Sequence, residues 1–187
     1  MSNLLKSLFG LSVLSASLAV SAAPGTQVIV EGGIVHFTGS IVNAACAVST
    51  DSDGQTVALG QHRTSALQNV GDKTSPKAFE IKLTDCDTTV SERAQVSFSG
   101  GANQTDKNLL KVSNIVPGGA GAATGVGIEI TDHAGVVLRP DGSAFSTPVK
   151  LIDGTNTLHF SARYVRTTEA LTPGKADADT TFTMQYN

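Results

Sequence analysis

Two cysteines, Cys46 and Cys86, and four histidines, His36, His62, His133 and His159, are the residues whose types could hold a metal or carry nucleophilic chemistry. Their spacing does not assemble a site. Two thiolates complete a structural zinc site only with histidine partners at short spacing, and the sequence holds no H-x₃₋₅-H or H-E-x-x-H element. No G-x-S-x-G supplies a strand-to-helix nucleophile elbow. The run from Gly118 to Gly127 fails G-x-G-x-x-G because Thr124 occupies the third glycine's place, and no Lys-Ser/Thr follows for a phosphate loop, so it reads as a flexible loop. Asp51-Ser52-Asp53-Gly54 begins like a calcium loop but lacks the further oxygen donors. Asp85 and Asp87 flank Cys86 on what alternation makes one strand face, without a third ligand. Asn103-Gln104-Thr105 is a three-residue match to a glycosylation acceptor. No catalytic, cofactor-binding or metal-ligating residue is nominated.

The elements that would position such residues begin with a leader. Lys6 is the only charge before an apolar stretch from Leu8 to Val20, and small residues surround Ala22. This is the charged start, apolar middle and small-residue cut of a signal peptide. The stretch is short, and interrupted, for a membrane span of roughly 20 residues. We assign residues 1–22 to the signal peptide, with the cut after Ala22 or, given Pro24, after Ala23. Export then changes what the cysteines mean, because an isolated pair outside the cytosol reads as a structural disulfide between Cys46 and Cys86. With 16 acidic against 13 basic residues, a net charge of −3 and no basic block, nucleic acid is excluded as a partner.

The mature chain alternates with a period of two. Val28-Val30, Phe79-Ile81-Leu83, Val96-Phe98, Val126-Ile128-Ile130, Leu158-Phe160-Ala162-Tyr164 and Phe182-Met184-Tyr186 each place apolar groups on one face of a strand. Glycine and proline turns separate them, at Asp53-Gly54, Pro117-Gly118, Asp141-Gly142, Asp153-Gly154 and Pro173-Gly174. Helical periodicity is limited to a turn or two around Ser65–Asn69. The class is all-β, as a sandwich of short strands.

Two segments depart from a simple sandwich. Thr26, Val28, Val30, Gly32 and Ile34 keep an even phase, whereas Val35, Phe37 and Ile41 keep an odd one. A one-residue phase change exchanges the two faces of a strand. Either Gly32-Gly33 joins two different strands, or it is a bulge within one. At the other end, alternation runs from Ala176 through Phe182 and Met184 to Tyr186, the penultimate residue. A routine final sandwich strand accounts for that pattern too.

Taken in order, these pieces resemble the chaperone–usher pilin family of Gram-negative bacteria, most of all its type 1 fimbrial major subunits. The resemblance rests on Gly32-Gly33-Ile34-Val35-His36-Phe37, Val42-Asn43-Ala44-Ala45-Cys46-Ala47-Val48, Val57-Ala58-Leu59-Gly60-Gln61, Leu83-Thr84-Asp85-Cys86-Asp87 and Asn156–Tyr164. A glycine 14 residues from the C-terminus, Gly174, and the penultimate Tyr186 complete it. It implies an incomplete immunoglobulin-like β-sandwich, completed by a strand donated from a neighbouring subunit. The implied organisation is a donor-strand extension over residues 23–34 and a pilin domain over 35–187. The donor face would be Thr26, Val28, Val30, Gly32 and Ile34. Gly174, Phe182, Met184 and Tyr186 would belong to the acceptor groove and the strand that a chaperone recognises.

The implied partners are copies of the chain in a fibre, a periplasmic chaperone and an outer-membrane usher during assembly, and other fimbrial subunits, with no cofactor. The implied location is a cell-surface fimbrium reached through the periplasm, and the implied role is a structural subunit supporting adhesion. The length leaves no room for an added lectin domain, which favours the shaft over the tip. The alternative is a minor fimbrial adaptor or adhesive subunit. A secreted β-sandwich enzyme of the copper–zinc dismutase kind would need more clustered histidines. On the donor-face reading, Val30→Asp puts an unpaired charge in an apolar groove, so the variant should lose fibres in a cell-surface yield assay, and normal yield would refute the assignment.

Overall fold

The computed structural model describes residues 28–113 and 121–187, so the leader, Thr26 and the whole turn at Pro117-Gly118 lie outside the described residues. The chain divides into two units, one ending at Ser40 and one covering Ile41–Asn187. The described residues of the first, from Val28, are exposed and belong to no strand. The second contains nine strands and a 3-10 turn at Thr64–Ala66 among its described residues.

One sheet has the order β1 (Ala47–Val48), β2 (Lys77–Cys86), β8 (Gly154–Arg166), β5 (Val126–Asp132), β4 (Leu110–Lys111). All its strand pairs are antiparallel. The second is built on β3 (Arg93–Gly100), whose residues Ala94–Gly100 pair with β9 (Thr180–Tyr186). Its opposite edge is shared by β6 (Asp141–Phe145) and β7 (Val149–Lys150). The strands lie where alternation places them, because each run presents a single apolar face. Opposing Phe79 to Phe160 and Ile81 to Leu158 across β2 and β8 puts all four on the inward side. Phe98 of β3 meets Phe160 edge-on at a centroid distance of 5.4 Å, and Phe79 stacks on Phe160 at 5.5 Å. This aromatic trio joins the two sheets, and such pairs add about 0.5–1.5 kcal/mol beyond area burial. Near its end β2 shifts register between Leu83 and Cys86, where Asp85 adopts a φ of 52°. The simple alternation expected for Asp85 and Asp87 therefore does not hold, although both side chains are exposed.

β5 corrects a second expectation. Alternation at Val126, Ile128 and Ile130 implies one wet face, yet all seven residues of β5 are buried. Leu109 lies across Gly127, where an added Cβ would come within 2.8 Å of it. Glu129 Oε2 accepts from Lys73 Nζ at 2.7 Å, and Oε1 accepts from Arg163 Nε at 2.8 Å. Thr131 and Ser161 share a hydroxyl hydrogen bond of 2.8 Å. Burial pushes the Glu129 carboxyl up, but the hydrogen bonds and charges of Lys73 and Arg163 outweigh it and hold the group below the usual glutamate range. Asp132 is likewise held low: burial raises it, and three backbone N–H donors, from Thr147, Val136 and Ala134, more than reverse that. Through Thr147 it ties β5 to the β6–β7 connection of the other sheet.

A carboxylate with a depressed folded pKa stabilises the fold above its unfolded value, and that contribution disappears as pH falls through the folded one. Glu129→Gln should therefore lower stability by about 2 kcal/mol at neutral pH. The difference from wild type should begin to shrink as pH falls below the unfolded glutamate value of ~4 and be gone only once pH has fallen through the lower value of the folded carboxyl. Thermal melts across pH 2–7 check this, and a deficit independent of pH would contradict it.

Candidate functional site

β9 ends its sheet. Among the described residues it pairs only with β3, so its outer row of backbone N–H and C=O groups has no strand partner. Its alternation is clear: Thr181, Thr183 and Gln185 are exposed, while Phe182, Met184 and Tyr186 are half-buried and pack against the core. Phe182 opposes Phe98, and Met184 opposes Val96. The same half-buried condition continues through Ala176 and Ala178 and is shared by Val48, Leu59, Phe79 and Tyr164. These residues face inward but are covered on one side only. Tyr164 Oη donates to Ala176 O at 2.9 Å, and Tyr186 Oη donates to Cys46 O at 3.2 Å. Burial pushes both phenols above their ordinary pKa, with Asp177 adding to the effect at Tyr164.

Cys46 and Cys86 form the expected disulfide, with Cα atoms 4.1 Å apart. Closing a loop of 40 residues contributes about 4 kcal/mol in the chain-entropy treatment. The bridge also fixes the place where the chain enters the sandwich. Asp87 N–H donates to Ala45 O at 2.9 Å, and Ala45 and Cys46 are the first buried residues of the second unit. Tyr186 therefore joins the end of the chain to a point that the disulfide anchors.

The N-terminal segment is open. Val28, Val30 and Ile34 are exposed, but so are Val35, Phe37 and Ile41, with Phe37 at 92%. The odd-phase stretch Val35–Val42, expected as a strand of the sandwich, forms no strand. Burial begins only at Ala45. Gly32 has nothing within 4 Å of where a Cβ would be, so nothing in the structure itself demands a glycine there. Gly174 is different. A Cβ on it would lie 2.4 Å from Gly121 O and 2.6 Å from Ala123 N, because the segment before β9 runs against residues 121–123. Ala123 N–H donates to Lys175 O at 2.7 Å, and Lys175 N–H donates to Gly121 O at 3.1 Å.

Other candidates fall away. Among the described residues no three His, Cys, Asp or Glu side chains cluster to hold a metal ion. Asn103 is buried, its amide donating to Val126 O at 3.0 Å while its oxygen receives Thr105 N–H at 2.9 Å, so the glycosylation match is a turn-forming side chain. Phe79, Tyr164, Val48 and Leu59 are the half-buried residues that sequence reasoning missed. Phe79 and Tyr164 lie in phase with fully buried neighbours, and only their incomplete cover separates them from the core. For Gly174→Val, the branched side chain would force residues 121–123 and the approach to β9 apart, so limited proteolysis should cut the variant faster than wild type. Equal protection would refute the close-packing account.

Comparison with known proteins points the same way. The profile of the Fimbrial protein family matches residues 35–187. The fimbrial subunit type 1 of Salmonella typhimurium is 50% identical over 175 residues, covering 94% of each chain. A subunit in a structure of a chaperone-usher pilus superposes with a TM-score of 0.71 at 24% identity, covering 87% of this chain and all of that one. The P pilus rod subunit PapA gives 0.64 at 26% identity, covering 77% of this chain and all of that one. With its all-β sandwich, open terminal strand and single disulfide, the chain belongs to the Fimbrial protein family as a structural fimbrial subunit.

Proposed function

We propose that this chain polymerises head to tail at the cell surface by donor-strand exchange, each copy's N-terminal arm completing its neighbour's sandwich. The observation that carries the reading is the free edge of β9 above a stripe of half-buried apolar side chains. A strand laid along that edge would satisfy the backbone row and bury alternate side chains. The exposed apolar arm has the composition for it. Three or four side chains buried at roughly 1.5–3 kcal/mol each would give a joint resistant to separation. One arm and one open edge per copy make a heterologous contact, which propagates as a filament.

Before assembly the same edge and arm would be aggregation hazards. This supports transit through the periplasm with a chaperone covering the groove and an outer-membrane usher catalysing exchange. The proposed donor face remains Thr26, Val28, Val30, Gly32 and Ile34, set against Gly174, Phe182, Met184 and Tyr186 of the acceptor. Because the exposed arm continues to Val42, the odd-phase face with Val35, Phe37 and Ile41 is a direct competitor for insertion. Which face enters is a question of register that paired variants answer.

Surface material sheared from cells and run unheated should give a ladder of multimers that collapses to one band on boiling. Val30→Asp should abolish the ladder while Phe37→Asp leaves it, if the even face inserts. The reverse result moves the inserted face to the odd positions. A lone monomer band from the exported wild-type chain would overturn strand exchange.

A further inference from the structure

An aspartate followed by glycine can rearrange through its own side chain, because glycine places no Cβ in the way of its backbone nitrogen. The sequence holds three such pairs, Asp53-Gly54, Asp141-Gly142 and Asp153-Gly154. All three aspartates are exposed and all three glycines have a positive φ, yet the fold treats the carboxyls differently. Asp141 Oδ1 accepts from the Ser143 hydroxyl at 2.6 Å and from its N–H at 2.9 Å. Asp153 Oδ1 accepts from the Thr88 hydroxyl at 2.7 Å and from its N–H at 2.8 Å. These bonds fix the two carboxylates and hold both below the usual aspartate range. At Asp53, by contrast, no hydrogen-bond donor or ion-pair partner among the described residues meets the carboxylate, and the Gly54 N–H has no acceptor among them. The nearby Asp51-Ser52 pair differs again, since Ser52 N–H is engaged by Ser49 O at 2.9 Å.

We propose that Asp53 is a site of spontaneous isoaspartate formation in the folded protein, and that the fold protects Asp141 and Asp153 from the same reaction. The Gly54 nitrogen loses its proton and attacks Asp53 Cγ. A C–N bond forms, the carboxyl C–O bond breaks and water leaves, closing a cyclic succinimide. Water then adds back to one of the two ring carbonyls. Addition at Cγ restores aspartate. Addition at the main-chain carbonyl breaks the original peptide bond and leaves the chain running through Cβ and Cγ. Water is the only co-reactant and nothing is oxidised or reduced. The carboxyl oxygen leaves as water, so the neutral acid is the reactive form, and hydrogen bonds that favour the carboxylate oppose the reaction. The site lies between two ties to β2: Ser52 Oγ accepts from Lys82 N–H at 2.8 Å, and Gln55 Nε2 donates to Glu80 O at 3.0 Å. Rearrangement adds a carbon to the main chain between these ties, lengthening the path from Ser52 to Gln55.

The test needs no variant. Protein sheared from the cell surface is kept warm at about pH 5, near the ordinary aspartate range, in water enriched in heavy oxygen. It is then digested in ordinary water and mapped by mass spectrometry. Each passage through the succinimide leaves a solvent oxygen in the residue, whichever way the ring opens. In the folded protein, label should accumulate at Asp53 together with a second, isomeric elution peak for that peptide, while Asp141 and Asp153 stay unlabelled. The same chain, reduced and held unfolded in denaturant, should take label at all three positions. Absence of label at Asp53 in the folded protein, or equal labelling of all three there, overturns the proposal. So does selectivity for Asp53 that persists in the unfolded chain, because the fold would then not be its source.

Discussion

A strand at the rim of a sheet leaves a row of N–H and C=O groups without partners, and β9 leaves that row beside half-buried Phe182, Met184 and Tyr186. Either feature alone is common at a protein surface. Together they mark a place where a sandwich has two facing sheets but lacks one strand's worth of cover. The rest of the structure is arranged around that deficit. β3 holds β9 over seven consecutive residue pairs. The Phe79–Phe98–Phe160 trio keeps the sheets together although one side of the core is thinly covered. Gly174 lets the chain pass tightly against residues 121–123 on its way into β9.

Stability that a missing strand would supply comes from elsewhere. The disulfide stiffens the margin where the chain enters, and Tyr186 spans from the terminal strand to the Cys46 carbonyl. On the first sheet, Glu129 is shared by Lys73 and Arg163, and Asp132 caps its own turn while reaching Thr147 across to the second sheet. No buried side-chain polar atom lacks a hydrogen-bond partner among the described residues. A fully satisfied interior lets one lip of the sandwich stay open without loosening the whole. The role that follows is structural: a well-satisfied body that keeps one strand edge open.

Much of this was legible in the residues. Alternation at Phe79–Leu83, Val96–Phe98, Leu158–Tyr164 and Phe182–Tyr186 located β2, β3, β8 and β9, because the period of a strand is local and survives in any sequence window. The cysteine pair behind a leader indicated its own bridge. Less legible was the outer face of β5, which looks wet in sequence and is buried, since Leu109 and Lys73 reach it from distant segments. Val35–Val42 was the converse case, a good strand pattern without a strand. A pattern states which side of a strand would be apolar and leaves open whether a partner exists.

The sequence by itself determined the all-β class, the covalent bridge and the family, because these depend on residue type, short-range period and the order of motifs. Only the tertiary structure decided which edge stays open, which in-phase residues are half-covered, and where packing begins. Those are properties of pairing between remote segments. Tyr186 meets Cys46 across 140 residues of chain, and β9 closes on β3 from Gly100–Thr180 to Ala94–Tyr186, pairs also remote in sequence. A side chain's exposure is set by which strand is next to it, and no local pattern encodes the neighbour that is missing.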